Sequence, residues 1–464
     1  MSKIKGAVEV DVDRCKGCNL CVVACPTQTL ALTTNEVNHK GYVYSYMAQP
    51  DSCIGCSSCA IVCPDGCISV YKTKPAGAKP AAKVSETQIV VAEMPQPIGI
   101  PTETEREVVL MKGNEAIAHA AVRCGCDGYF GYPITPQSEV LETLAELKPW
   151  ETTGMVVLQA ESEVAAINML YGGGGTGKRV MTSSASVGIA LMQEGISYMA
   201  GAEVPGVIVN VQRGGPGLGT IQPSQSDYNQ ATRGGGNGDY NVLVLAPASV
   251  QEMADFVDLA FELSFKYRNP VMILSDGVIG QMMEKVVLPP YKPRRTEEEL
   301  VAECPWASNG NGLKARGVNV VTSLELDPVE MEKKNLQLQA KFKQIEENEV
   351  RYETIDVEDA DYLIVAFGSA ARISQKAMSL AREKGLKVGL LRPITLWPFP
   401  TDAIRELSHK VKGVLTVEIN AGQMVFDVRA AVEGLVPVDH FGRLGGIVPD
   451  PDEIVNALLE KLVK

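Results

Sequence analysis

Eight cysteines in two matching runs constrain this chain more than any other feature. The sequence reads Cys15-x2-Cys18-x2-Cys21-x3-Cys25-Pro26 and repeats as Cys53-x2-Cys56-x2-Cys59-x3-Cys63-Pro64. Thiolates are the soft ligands that iron–sulfur clusters require. Three cysteines at this spacing can wrap one face of a cubane, while the fourth, beside a proline, turns away to ligate the neighbouring cluster. One [4Fe–4S] cluster is therefore expected on Cys15, Cys18, Cys21 and Cys63, and the other on Cys53, Cys56, Cys59 and Cys25. Zinc is the competing reading, but zinc sites use paired cysteines per half and not runs of four. Of twelve cysteines, nine precede Tyr71. Such clustering favours metal ligation in a reducing compartment over disulfides. Cys67 falls outside the pattern and reads as packing. Cys124, Cys126 and Cys304 lack partners at ligand spacing and read as structural.

The paired runs resemble those of bacterial two-cluster ferredoxins. They occupy only residues 1–72 of a 464-residue chain, long enough for about three domains. A net charge of −13 excludes a nucleic-acid binder of the usual kind, because phosphate recognition needs clustered Lys and Arg. Lys3 and Lys5 are followed by no apolar segment of the signal-peptide type. The most apolar stretch, 187–211, carries Glu194 and Glu203 and reads as buried helix plus strand, so no membrane span is expected. The cytoplasm is the expected location.

Residues 73–104, with Pro75, Pro80, Pro95, Pro97 and Pro101, read as an extended linker. From 105 to 290, short apolar runs alternate with helix-compatible sequence: 108–111, 155–158, 179–182, 207–211, 242–245 and 271–274. That rhythm predicts a parallel sheet covered by helices. Residues 291–350 are charged, with a helical stretch near Leu336–Ile345, and read as a connector. The rhythm resumes over 351–464, with strands expected at 362–366, 387–391 and 414–417 and a helix at 454–462.

Three motifs fall at the carboxyl ends of predicted strands, where open α/β sheets place ligands. They are Gly131-Tyr132-Pro133-Ile134-Thr135-Pro136, Gln159-Ala-Glu161-Ser-Glu163, and Val209-Asn-Val-Gln-Arg213-Gly-Gly-Pro-Gly217. Together they resemble the α subunit of 2-oxoacid:ferredoxin oxidoreductases, from about Glu107 to the C-terminus. Ala366-Phe-Gly-Ser and Leu391-Arg-Pro-Ile-Thr-Leu-Trp-Pro-Phe-Pro400 resemble that family's transketolase-C-terminal-like domain. The fold class expected is thus α/β: a ferredoxin-like two-cluster domain followed by two thiamine-enzyme-type, transketolase-like parallel-sheet domains.

The resemblance implies a CoA-dependent oxidative decarboxylation. Thiamine diphosphate with magnesium would be shared with a β subunit, a γ subunit would complete the complex, and an external ferredoxin would accept electrons. This chain shows no Gly-Asp-Gly motif followed by Asn, only Ser275-Asp-Gly-Val and Gly238-Asp-Tyr, which fits a chain holding half of the active site. By the same resemblance, Glu163 would hydrogen-bond the cofactor's pyrimidine and promote its reactive tautomer, with Tyr132, Pro133 and Ile134 alongside. Glu161 is the alternative bearer. Arg213 would clamp the substrate carboxylate with a guanidinium fork, and Thr135 would bond the substrate as well.

Each has a plainer reading. Glu163 could be a first-turn carboxylate favoured by the helix dipole, Arg213 a surface ion pair, and Thr135 an N-cap ahead of Pro136. A phosphate-loop look-alike, Gly172 to Lys178, has Arg179 where Ser or Thr is required. It reads instead as a flexible interface loop. The run Arg233 to Tyr240 reads as a loop lining the catalytic cleft. For substrate, Gly214-Gly-Pro-Gly-Leu-Gly resembles branched-chain (3-methyl-2-oxobutanoate) members, whereas 2-oxoglutarate members more often carry Gly-Pro-Ser-Thr-Gly. A non-catalytic α/β scaffold serving an electron-transfer adaptor is the reading from another class.

Overall fold

The computed structural model describes residues 6–72, 107–308 and 319–463; the linker expected at 73–104 lies outside them. The described residues divide into two units, one within 1–92 and one within 93–464.

The first unit is built twice from one plan, offset by thirty-eight residues from Cys15 to Cys53. Each cysteine run enters a one-turn helix, Leu20–Val23 or Ser58–Ile61, through a residue with positive φ, Asn19 at 68° and Ser57 at 67°. Gly17 and Gly55 take the same region at 66° and 64°. A glycine there costs no Cβ strain, and the turn folds the thiols inward. Two antiparallel ribbons flank the runs: Gly6–Val10 with Ile68–Lys72, and Leu30–Leu32 with Ser45–Met47.

The second unit holds two parallel sheets. The larger has seven strands, in the order Thr395–Trp397, Leu243–Leu245, Pro270–Asp276, Gly206–Gln212, Val180–Ser184, Gly128–Gly131 and Val156–Gln159. All but the first run parallel. Val180–Ser184, Gly206–Gln212 and Pro270–Asp276 are buried at every residue, as strands covered on both faces must be. The stretch 187–211 forms the helix Ser186–Gly201 and the following buried strand. No helix among the described residues is long and apolar enough to cross a membrane.

The run at 108–111 departs from expectation. Val108–Lys112 pairs antiparallel with Met283–Val287 in a separate ribbon, so it is not a strand of the parallel sheet. The second sheet orders Tyr352–Ile355, Val388–Pro393, Tyr362–Ala366, Gly413–Glu418 and Val438–Gly442, with only its first strand antiparallel.

The two sheets interlock. Thr395–Trp397 follows directly on the second sheet yet adds to the edge of the first. Trp397 stacks edge-on against Phe342 at 5.8 Å, and Phe342 lies on the long helix Pro328–Asn348 within the charged connector. Arg392 reaches from the second sheet to both oxygens of Glu252, at 2.7 and 2.8 Å, a bidentate pair of the strong kind.

Candidate active site and cluster ligands

In the first unit, Cys15, Cys18, Cys21 and Cys63 line one small cavity, so a thiol from the second run joins three from the first. Cys25 in turn lies within electrostatic reach of Cys56 and Cys59. Among the described residues no three His, Cys, Asp or Glu side chains close around a single ion. Hydrogen-bond donors surround the sulfurs. Ser45 Oγ is 3.3 Å from Cys21, Ser58 Oγ is 3.4 Å from Cys56, and the Thr29 N–H donates to Cys25 at 3.3 Å. Burial pushes the Cys25 thiol up, but the combined bonds from Thr29 and Thr27 outweigh it and bring the thiol down to about 7. That environment favours thiolate, the form that binds iron.

In the second unit, three motifs converge on the first turn of the helix Ser186–Gly201. Ser162 caps the helix Glu163–Gly175 by accepting the Ala165 N–H at 3.2 Å, and the cap turns Glu163 inward. Glu163 is 6% exposed; Glu161 is exposed. Among the described residues the Glu163 carboxylate has no hydrogen-bond or ion-pair partner. It packs against Gly188, where a Cβ would stand 2.6 Å from its Oε1. A buried carboxylate held against a glycine cradle, with its own bonds unmade, fits the partner of a ring nitrogen better than a helix-dipole residue.

Two residues before Gly188, the Ser186 hydroxyl accepts from the Arg213 N–H at 3.0 Å and donates to the Arg213 carbonyl at 3.1 Å. The Arg213 guanidinium donates to the carbonyls of Thr135 (3.0 Å) and Leu218 (3.1 Å). It is 6% exposed, has no acidic partner among the described residues, and leaves its Nε unbonded. Arg213 is therefore no surface ion pair. A buried cation without a counter-charge is costly and calls for an anion. It opens onto a cavity of about 870 Å³ between the two sheets, reached by Ser224 and Asp227 from one side and Asn420 and Gln423 from the other.

Thr135 is exposed and supplies its carbonyl to Arg213. It is not an N-cap, because the helix starts at Ser138 with Gln137 before it. Tyr132 and Ile134 are half-buried and Pro133 exposed, their loop held by bonds from Gln137 to the Tyr132 and Ile134 carbonyls at 3.1 and 3.0 Å.

Two lesser expectations are corrected. Gly172–Gly175 are helical, not a loop; Gly174 is small because a Cβ would strike the Pro205 backbone and Val204. The run 233–240 lines two other cavities, not the one at Arg213. Asp276 caps the helix Gly277–Gln281 and accepts the Ser369 hydroxyl at 2.5 Å, which accounts for Ser275-Asp-Gly-Val.

Family models match in the same order. The pyruvate flavodoxin/ferredoxin oxidoreductase thiamine-diphosphate-binding domain covers 119–356, core domain II of pyruvate:ferredoxin oxidoreductase covers 360–454, and a 4Fe-4S dicluster domain covers 14–74. The class is thus a thiamine-diphosphate enzyme subunit with its own two-cluster module.

Ketoisovalerate oxidoreductase subunit VorB of Methanothermobacter thermautotrophicus is 49% identical over 354 residues, 76% of this chain and 97% of that protein. 2-Oxoglutarate synthase subunit KorA of the same organism is 35% identical over 374 residues, 76% of this chain and 99% of that one. A solved 2-oxoglutarate:ferredoxin oxidoreductase from Magnetococcus marinus superposes with a TM-score of 0.66 at 26% identity, over 76% of this chain and 65% of that one. This chain belongs to the 2-oxoacid:ferredoxin oxidoreductase family, as one subunit of a multi-subunit enzyme.

Proposed function

We propose that the chain is the α subunit of an enzyme that oxidatively decarboxylates 3-methyl-2-oxobutanoate to its acyl-CoA. A β subunit would hold the thiamine diphosphate and magnesium, a γ subunit would complete the complex, and an external ferredoxin would take the electrons. The observation that carries this is the lone buried cation, Arg213, facing the 870 Å³ cavity. One fork suits one carboxylate. Among the described lining residues no second Lys or Arg awaits a distal carboxylate, while Val187, Pro216, Leu218 and Leu444 offer apolar surface. That balance favours a branched-chain acid over 2-oxoglutarate, as does the 49% identity to a ketoisovalerate subunit.

Bound thiamine diphosphate supplies the electron sink for decarboxylation. This chain's residues do the placing. Glu163 would hydrogen-bond the pyrimidine ring from its buried place beside Gly188. Arg213 fixes the substrate carboxylate, and the Thr135 carbonyl fixes Arg213. Cys15, Cys18, Cys21 and Cys63 hold one cluster, and Cys53, Cys56, Cys59 and Cys25 the other.

Anaerobic co-purification with the partner subunits, followed by a 2-oxoacid panel with coenzyme A and a viologen acceptor, tests the assignment. Highest kcat/KM on 3-methyl-2-oxobutanoate is expected; preference for 2-oxoglutarate would overturn the substrate reading. Full turnover by E163Q would leave only the adaptor reading standing.

A further inference from the structure

The two halves of the cluster unit share their cysteine spacing but differ beside the fourth cysteine of each run. Counting from the fourth cysteine of each run, Cys25-Pro26-Thr27-Gln28-Thr29 corresponds to Cys63-Pro64-Asp65-Gly66-Cys67. Burial follows the same alternation in both, and Gln28 and Gly66 share positive φ, 50° and 56°. The backbone is therefore the same, and what differs is chemistry.

Around Cys25 the donors are strong. The Thr29 N–H reaches its sulfur at 3.3 Å and the Thr27 hydroxyl lies 3.6 Å away, itself 2.9 Å from the Thr29 hydroxyl. Around Cys63 the backbone donors persist, from Asp65, Gly66 and Cys67, but both hydroxyls are missing. Asp65 turns to Lys16 at 2.6 Å, a pair whose charges cancel. Where Thr29 stood is Cys67, buried, its sulfur 3.3 Å from that of Cys63 and lining the same cavity as Cys15, Cys18 and Cys21. A thiol is a weak donor and a hydroxyl a stronger one. Elsewhere the two sets balance, one serine hydroxyl each, Ser45 on Cys21 and Ser58 on Cys56. The fourth ligands thus carry the asymmetry.

We propose that Thr27 and Thr29 on one side, and Cys67 on the other, set the two clusters at different reduction potentials, the cluster bound through Cys25 being the easier to reduce. Hydrogen bonds to cluster sulfurs stabilise added negative charge and so raise the potential. Each cluster takes up one electron, passing from the 2+ to the 1+ state with no bond made or broken. The electrons come from the 2-oxoacid, two at a time, and two unequal single-electron stations pass them on in a defined order. Cys67, by this inference, is a positioning and tuning residue for Cys63, not mere packing.

The inference rests on the ligand sets proposed above, and one experiment separates the two. The full chain, purified anaerobically, is titrated against potential and followed by electron paramagnetic resonance, with iron counted in every variant. Two resolved one-electron midpoints are expected for the wild type. Cys67→Ser puts a hydroxyl in place of the thiol and is expected to raise the lower midpoint alone. Thr27→Val removes a hydroxyl and is expected to lower the upper midpoint alone. Both narrow the gap, from opposite sides. A single midpoint in the wild type, or variants with full iron whose midpoints stay put or move together, would overturn the proposal. Fewer than about eight irons per wild-type chain would instead count against the ligand sets, which hold about four irons each.

Discussion

Gly188→Ala probes the site without touching a reacting group. The new Cβ would meet Ser184 Oγ first, and would stand 2.6 Å from Glu163 Oε1 and 2.9 Å from its Cγ. Ordinary contact begins near 3.4 Å, so the carboxylate oxygen must retreat by 3.4 − 2.6, about 0.8 Å. Crowding of this kind costs about 1–3 kcal/mol of stability, which a chain of this size tolerates. A misplacement of about 1 Å at a reacting centre costs on the order of 100-fold in rate. Turnover of the reconstituted complex should therefore fall on the order of 100-fold while the chain still melts cooperatively. E163Q, which keeps the shape and removes the proton-holding group, should cost about 100- to 10,000-fold. The double variant should be little slower than E163Q alone, because Ser184, the other side chain the new Cβ meets, is given no part in the reaction. Near-full activity in G188A, or effects that multiply in the double variant, would refute the placement of Glu163.

Arg213→Lys keeps the charge but loses the fork that grips Thr135 and Leu218; kcat/KM for the 2-oxoacid should drop about 10- to 100-fold, the worth of one charge-assisted hydrogen bond, and steady-state kinetics would show it mainly in KM. The exposed apolar side chains Leu191 (57%) and Val164 (47%) are expected to meet the β subunit, so Leu191→Asp should change the unfolding free energy by less than about 0.5 kcal/mol yet abolish co-purification; an unchanged complex on size exclusion would remove that surface from the interface. Lys341, on the connector helix, is held down to about 8 by burial, against the opposing pull of Glu203. Its folded value lies below the unfolded 10.5, so between pH 8 and 10.5 the unfolded chain binds more protons and stability rises with pH. Urea unfolding should show the wild type gaining on K341M from pH 8 to pH 10 by up to about 3 kcal/mol, and parallel pH profiles would refute it.

Much of the fold was legible because it is written in local runs. The all-buried strands Gly206–Gln212 and Pro270–Asp276 are continuous apolar runs, which only a sheet covered on both faces can use. Val108–Lys112 is as apolar, yet it pairs outside the sheet with Met283–Val287 and leaves Val108 and Leu110 exposed, because an apolar run fixes neither burial nor the identity of its partner. Thr395–Trp397 was missed for the same reason: three residues after a Pro-containing strand carry no period, and their place is set by the edge at Leu243–Leu245. At the site, the order Glu161-Ser-Glu163 left two carboxylates in play; the Ser162 cap decides which one turns inward. Cys67 read as packing because spacing reports ligands and not the donors beside them.

Three deficits sit together at the carboxyl edge of the larger sheet. Val156–Gln159 is its outermost strand and shows Val156 and Leu158 to solvent, although Val180–Ser184, two strands in, is buried throughout. The helix Glu163–Gly175 has no polar face, exposing Val164 while burying Ile167 and Leu170; a helix apolar all round is one meant to be covered. Glu163 and Arg213 are each buried with charge-bearing atoms unmatched. A self-sufficient enzyme would gain by closing any one of these. Left open side by side, they are what the proposed function requires: a second protein surface would cover the apolar strand and helix and bring the ring nitrogen and the substrate's anion to the two side chains.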